Sequence, residues 1–405
     1  MRGVNSLLVV LILGGVFCAA PAAGQAPIIV RKTSGRIAIS VDGLRGSSSP
    51  EAQQFKRVLV ADLDRFSWFE VNARGAVVFA ADVDSSGGRL QVACRVMHRG
   101  SRRSYLNRTF AGAASQARQL AHEVHDALVK AVTGRRGIAA TRIVMIGAAG
   151  NQSAKEVYLC DADGDGLQQL TRDKNVSLMP RWGPAGDRIV YTSYKSDFPD
   201  AYIVDLVSGR RERIAGFPGL NTGAEFFPDG DNMVLTLSKD GNPDLYALNL
   251  KSQRTTRLTR TRSAAETSPT VSPDGNQIAF VSDTSGRPQI YIMNRRGGER
   301  RRITLHGSEN VAPDWGPDGR IVYSSRRFGR YQLFLYDPRT DKEQELTQEA
   351  VDHEDPSWAP DGRHVCYTRE EAYRQQVYVL DTISRRSIRL TRYAGSWYAA
   401  AWSPW

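Results

Sequence analysis

The chain has 405 residues, long enough for two domains with sizeable cores, and a formal net charge of +11 spread along its length. A basic balance fits nucleic acid, anionic lipid or acidic protein partners, and equally a well-solvated basic surface. No apolar run reaches the roughly 18 residues needed to span a bilayer as a helix, so no membrane-spanning helix is expected.

In chain order, Arg2 precedes an apolar run from Leu7 to Val16 and the small-residue stretch "CAAPAAGQA". This pattern is that of a secretory signal peptide covering residues 1–24, with cleavage before Gln25. Lipidation of Cys18 is disfavoured by bulky Phe17 just before it, so the mature protein is expected to be soluble and exported, with no nucleic-acid partner. Cys94, Cys160 and Cys366 remain after the cut, too few for a paired framework. Buried free thiols are the favoured reading, with a Cys160–Cys366 bridge left open.

Residues 25–138 read as a small α/β domain. "RIAISV" (36–41) alternates as a strand. The stretch 49–66 reads as a helix with Ser49 as N-cap, Pro50 in first position, Glu51 in the first turn, and Phe55, Val58, Leu59 and Leu63 as its apolar face. "WFEV", "AVVFA" and "LQVACRV" read as strands, and 115–132 as a second amphipathic helix with Leu120, Val124 and Leu128 on one side.

Residues 139–405 repeat. The prolines of a Pro-Asp-Gly-like phrase are Pro184, Pro228, Pro273, Pro317, Pro360 and Pro404, spaced 44, 45, 44, 43 and 44 residues apart. A second marker keeps step: Leu170-Thr171, Ile214-Ala215, Leu258-Thr259, Ile303-Thr304, Leu346-Thr347 and Leu390-Thr391. Each unit holds four short strand-like runs punctuated by turn residues, as in "PDWG", "RIVYSS", "YQLFLYD" and "KEQEL", which is the pattern of a β-propeller blade. The last unit, ending "AWSPW", has only its first strand, and the three runs missing from it ("RIVMIG", "EVYLCD", "LQQLT") stand at the start of the repeat region. The C-terminal strand is therefore expected to pair near Arg142, giving five whole blades and one shared blade, six in all, with no open edge.

The order of signal, α/β domain, junction "VTGRRGIAATRIV" (132–144), six units and terminal strand resembles the TolB family of periplasmic propeller proteins of the bacterial Tol-Pal system. "SDTSGRPQIYIMNRRGGERRRIT" (282–304) is the densest match, and the short segment between "FEVN" and "AVVFA" is the clearest departure. The resemblance implies a periplasmic, monomeric binding protein without cofactor. Its propeller would bind Pal, a peptidoglycan-associated lipoprotein, and its extreme N-terminus would bind TolA, an inner-membrane protein, serving envelope integrity and constriction at division. The corresponding segment here runs from Gln25 to Lys32; Ile28, Ile29 and Val30 would add to a partner as a strand or pair within their own domain.

Topology nominates a binding face. Loops between blades lead into the innermost strands and open at the channel mouth, and the loops between second and third strands share that face. Expected partner-binding residues are Asn221, Thr267, Ser268, Glu309, Asn310, His353, Glu354, Asp355 and Trp397 from the former, and Arg287, Arg326 and Arg330 from the latter. Lys195, Arg327 and Arg374 add to a basic rim, which predicts a partner patch of acidic character.

Three chemical motifs are set aside. "HEVH" (His122, Glu123, His125) has a gap of three where a zinc protease helix needs four. "DADGDG" (Asp161, Asp163, Asp165, Gly166) resembles the start of a calcium loop, but Arg172 stands where its closing Glu belongs, so it reads as a turn. "DHED" (352–355) clusters charge at the channel mouth, where a weak cation site is conceivable. No metal is assigned. No G-x-S-x-G occurs and no residues follow Trp405, which argues against a propeller-type serine peptidase. An envelope propeller that binds another protein or a glycan fits the fold equally well.

Overall fold

The computed structural model describes residues 35–150 and 153–405. The expected signal peptide, Cys18 and the segment with Ile28, Ile29 and Val30 lie outside the described residues.

The first part comprises β1 (Ile37–Gly46), α1 (Pro50–Arg65), β2 (Phe69–Val71), β3 (Val77–Ser86), β4 (Arg89–His98), β5 (Ser104–Ala113) and α2 (Ala117–Thr133). The sheet order is β2-β1-β3-β4-β5, with β1 parallel to both neighbours and the remaining pairs antiparallel. Strand β4 shows why one face is covered: Leu90, Val92, Cys94 and Val96 are buried while the residues between them are exposed. The helices supply the covering layer through Phe55, Leu59 and Leu63 of α1 and Leu120, Val124 and Leu128 of α2. Ser49 caps α1 by accepting the Ala52 N–H at 3.2 Å. Gly134 ends α2 at φ 75°, a left-handed position that glycine takes at little cost. Strand β5 was absent from the sequence reading. It is an edge strand on which Phe110 alone is buried, so its apolar pattern is weak.

The rest is a six-bladed propeller of four-stranded antiparallel sheets. Five blades are contiguous in sequence, over residues 177–215, 221–257, 266–302, 309–345 and 353–389. The sixth joins the C-terminal strand Gly395–Trp402 to β6 (Arg142–Ala149), β7 (Glu156–Asp161) and β8 (Gln168–Gln169). Ala401 pairs with Val144 and Trp402 with Ile143, as the truncated last repeat anticipates. The Trp402 indole N–H donates to Thr141 Oγ1 at 2.7 Å, and the Arg142 N–H donates to Ser403 Oγ at 3.0 Å. The Pro-Asp-Gly phrases are tight turns in which Gly230, Gly275 and Gly319 take positive φ. Cys94, Cys160 and Cys366 are buried free thiols, which closes the question of a Cys160–Cys366 bridge in favour of separate sulfurs.

The threonines of the second marker are clamps. Thr259, Thr304 and Thr391 accept the N–H of Leu245, Ile290 and Val377 and donate to Asp244, Gln289 and Gln376 respectively. Each ties the end of an outer strand to the start of the third strand in its own blade.

The α/β part docks on one face of the propeller. Arg118 of α2 reaches Asp161, Asp163 and Asp165 at 3.2, 3.0 and 2.9 Å, so the "DADGDG" turn gathers its carboxylates around an arginine. Arg386 binds Asp64 at 2.6 Å, and buried Arg363 donates to the Ser67 carbonyl at 3.0 Å while lying 4.3 Å over the Trp68 ring. Within this interface Asp62, His122 and Asp163 come together, with His122 Nδ1 2.6 Å from Asp62 and Nε2 3.8 Å from Asp163. Arg65 and Arg118 already neutralise Asp163, so the group works as an ion network rather than a ligand set. Burial pulls the His122 imidazole down, but Asp62 and Asp163 outweigh it and the net shift is upward. No helix among the described residues is long and apolar enough to cross a membrane.

Candidate partner-binding face

All hydrogen bonds and ion pairs between the two parts described above fall on turns joining first to second and third to fourth strands. The opposite propeller face, where the interblade loops and the loops between second and third strands emerge, carries none of them.

The channel opening on that face is built by the innermost strands. Each has a bulge, and the residue at it takes positive φ: Met179 (50°), Gly223 (60°), Ser268 (50°), Ala312 (49°), Asp355 (49°) and Ala399 (47°). Five of the six are not glycine and so carry backbone strain of order 1 kcal/mol each, a cost that clusters at functional sites. With Arg181, Pro269 and Val311 they line a cavity of about 210 Å³.

Two residues beyond each bulge lies a second ring. There Arg181 lies 3.6 Å from Glu225, and Asp314 accepts the Trp358 N–H at 2.7 Å, stitching one blade to the next. Burial raises the Glu225 carboxyl to about 7 against the pull of Arg181, and it raises Asp314 and Asp355 in the same way. At the mouth, burial together with Asp355, Asp352 and Glu370 raises Glu354 to about 7. The centre of the face is therefore rich in carboxyl groups that burial draws toward their neutral form, with Arg181 among them.

Around it stands the arginine rim. Arg287, Arg326 and Arg330 are exposed as expected, but Arg326 lies 3.4 Å from Glu309 and Arg330 lies 3.9 Å from Asp352. The rim is thus a mixed-charge surface and not a purely basic one. Thr267, Ser268, Glu309, Glu354 and Asp355 are half-buried at or below the mouth.

Four of the expected contact residues belong to the fold instead. Asn221, Asn310, His353 and Trp397 are buried. Asn221 donates to the carbonyls of Pro199 and Phe217 and accepts the Phe217 N–H, holding the interblade loop. Asn310 and His353 latch the start of an inner strand to Gln289 and Gln332 of the preceding blade, at 2.7 and 3.0 Å. Burial, with help from nearby Arg369, lowers the His353 imidazole to about 4, which keeps it neutral at ordinary pH. Trp397 packs edge-on against Tyr158, their centroids 5.0 Å apart. A polar loop residue can equally serve recognition or close a blade, and sequence alone did not separate the two.

The most prominent features of this face were not singled out from sequence. Phe198, Phe328 and Tyr373 are highly exposed at the loops between second and third strands of three blades. In the fourth and fifth blades these loops are regular two-residue turns, since Arg327 pairs with Arg330 and Glu371 with Arg374. Phe328 (φ 52°), Ala372 (φ 44°) and Tyr373 (φ 66°) all sit in left-handed conformations that normally take Asn or Gly. Two strained hairpin tips thus each hold an aromatic ring in solvent.

A family model for the TolB beta propeller domain matches residues 129–405. The chain belongs to the TolB beta-propeller family. The Tol-Pal system protein TolB of Cereibacter sphaeroides is 36% identical over 158 residues, which are 38% of this chain and 35% of that relative. The TolB of Paramagnetospirillum magneticum is 32% identical over 253 residues, 54% of this chain and 56% of that one. These matches thus span between about a third and somewhat over half of the relatives' own length. In three dimensions the likeness extends further. The crystal structure of TolB from Acinetobacter baumannii, 26% identical, superposes with a TM-score of 0.82 over 94% of this chain and 98% of its own. The α/β part is therefore shared with that family member as well as the propeller.

Proposed function

We propose that this chain is a periplasmic, non-enzymatic binding component of a Tol-Pal system. In this reading residues 1–24 direct export, residues 25–138 form the α/β domain and residues 139–405 form the propeller. The propeller face opposite the α/β part binds a Pal-like peptidoglycan-associated lipoprotein, and the segment around Ile28, Ile29 and Val30 engages a TolA-like inner-membrane protein. The protein thereby serves outer-membrane integrity and constriction at division, acting as a monomer without cofactor. Family membership and relatives named for the Tol-Pal system support this reading. The observation that carries it is the pair of strained hairpins, one presenting Phe328 between Arg326 and Arg330 and the other presenting Tyr373 next to Arg374. Exposed aromatics with arginine are the residue types that dominate binding energy at protein interfaces, and strain is retained where it serves recognition.

Calorimetric titration of the mature protein with the soluble domain of its own organism's Pal-like lipoprotein tests this. Replacing Phe328 and Tyr373 together by Ser is expected to weaken binding about 30-fold or more, the scale of an interface hot spot, with the melting temperature unchanged. Absence of heat at concentrations up to about 100 μM would reject the partner, and an unaltered affinity in the double variant would reject the face.

A further inference from the structure

On the opposite side of the molecule, where α2, the 134–141 junction, β6 and the C-terminal residues meet, lies a concavity of about 390 Å³. Its walls carry Arg108, Lys130, Arg136 and Arg142, the side-chain carboxylate of Asp126, and Trp405 with its indole and terminal carboxylate. That volume lies within the range of small-molecule sites, which favour domain boundaries.

The four cations here outnumber the anionic groups beside them. Among the described residues, no carboxylate pairs with any of the four cations. Asp126 is already used: its two oxygens accept the Ala139 and Ala140 N–H groups at 2.8 and 3.0 Å. Residues 1–34 contain no Asp or Glu, and residues 151 and 152 are Asn and Gln, so no side chain outside the described residues supplies the missing anion.

The guanidinium groups are nonetheless held in place. Arg136 stacks 4.4 Å over the Trp405 ring, Arg108 lies 4.5 Å over Phe110, and Arg142 lies 5.4 Å over Trp182 while its Nη2 also donates a long bond of 3.5 Å to the Gly186 carbonyl. Trp405 is itself fixed by its indole N–H, which donates to the Gly137 carbonyl at 2.8 Å. A guanidinium held through its face keeps its N–H edge free to donate, whereas one held by a carboxylate does not. Three arginines positioned by rings, with a lysine beside them, form a site arranged for an external anion.

We propose that this cleft binds a small organic polyanion, a phosphate ester or a polycarboxylate, whose charges meet Arg136, Arg142 and Lys130 and whose body lies along the Trp405 indole. The site stands apart from the partner-binding face and does not depend on that reading.

Titration of the mature protein with inorganic pyrophosphate and, separately, with citrate tests it. Saturable one-site binding of either is expected, and which of the two binds assigns the anion class. Arg136→Gln and Arg142→Gln should each weaken binding about tenfold, as loss of a charge-assisted hydrogen bond does. Should either variant fold poorly, Arg108→Gln combined with Lys130→Gln removes two exposed cations and should weaken binding to the same degree. Arg254→Gln with Arg296→Gln, two exposed arginines elsewhere on the propeller, should leave affinity unchanged. Lack of saturable binding of both anions up to about 10 mM overturns the proposal. So does binding that the cleft variants leave intact.

Discussion

Thr304 shows how a single hydroxyl can carry a repeat. Its oxygen accepts the Ile290 N–H at 3.0 Å and its proton goes to Gln289 at 2.9 Å, all of it buried. Thr304→Val keeps the shape and strands both partners, so we expect a loss of about 1–3 kcal/mol in urea unfolding; a change under about 0.5 kcal/mol would show that the clamp is dispensable. Glu354 is the opposite case, a residue whose charge opposes the fold. Its folded value of about 7 lies above the unfolded carboxylate value of about 4.3, so between these values the folded state binds the extra proton. Stability from this group is therefore present at acid pH and declines as pH rises through about 7. Glu354→Gln should raise the melting temperature at pH 8 and leave it unchanged near pH 4; an equal shift at both would show that packing, not ionisation, is responsible. At this scale the sequence was a mixed guide. The repeat markers were visible, yet Asn221, Asn310 and His353 look in sequence like surface loop residues, and only their buried partners reveal them as latches. Arg181, Glu225 and Asp314 recur at one offset of the repeat, so the period itself carries a signal for the channel ring.

Among the elements, the C-terminal strand matters most, because its pairing with β6 decides whether the ring has edges. Trp402→Ala removes its buried anchor and the bond to Thr141 and should cost about 3–5 kcal/mol, read as a lower unfolding midpoint; an unchanged midpoint would mean that closure does not depend on this residue. The hairpin tips make a sharper prediction, since stability and binding should move in opposite directions. Ala372→Asn with Tyr373→Gly supplies the residues that a turn with two positive φ values prefers. The variant should gain about 1 kcal/mol in stability and lose affinity for the partner. If it gained affinity as well, Tyr373 would be a bystander. Strands and helices with strong periodicity were readable from sequence, and so was the shared blade. Strand β5 was not, because an edge strand with one buried side chain has almost no apolar pattern to read.

Across the whole molecule, the α/β part sits on one face, held by Arg118, Arg363 and Arg386, and the hairpin tips stand on the other. This division was legible only in part. The period predicted the faces, but the pairing of arginines with the "DADGDG" turn and with Asp64 joins residues far apart in sequence. The network also ties the attachment to pH. The raised His122 is protonated while it bridges Asp62 and Asp163, so its contribution is fully present below the unfolded value of about 6.5 and fades as pH rises through the higher folded value. The propeller face opposite the α/β part is the proposed binding face. Hydrogen–deuterium exchange of the mature protein, with and without the soluble domain of its Pal-like partner, tests it most directly. The account predicts new protection in the 326–331 and 370–375 hairpins and at the channel mouth around 352–355, with the 381–387 turn under the α/β part unchanged. Protection confined to that turn and to α1 and α2, with the hairpins exchanging as before, would contradict it.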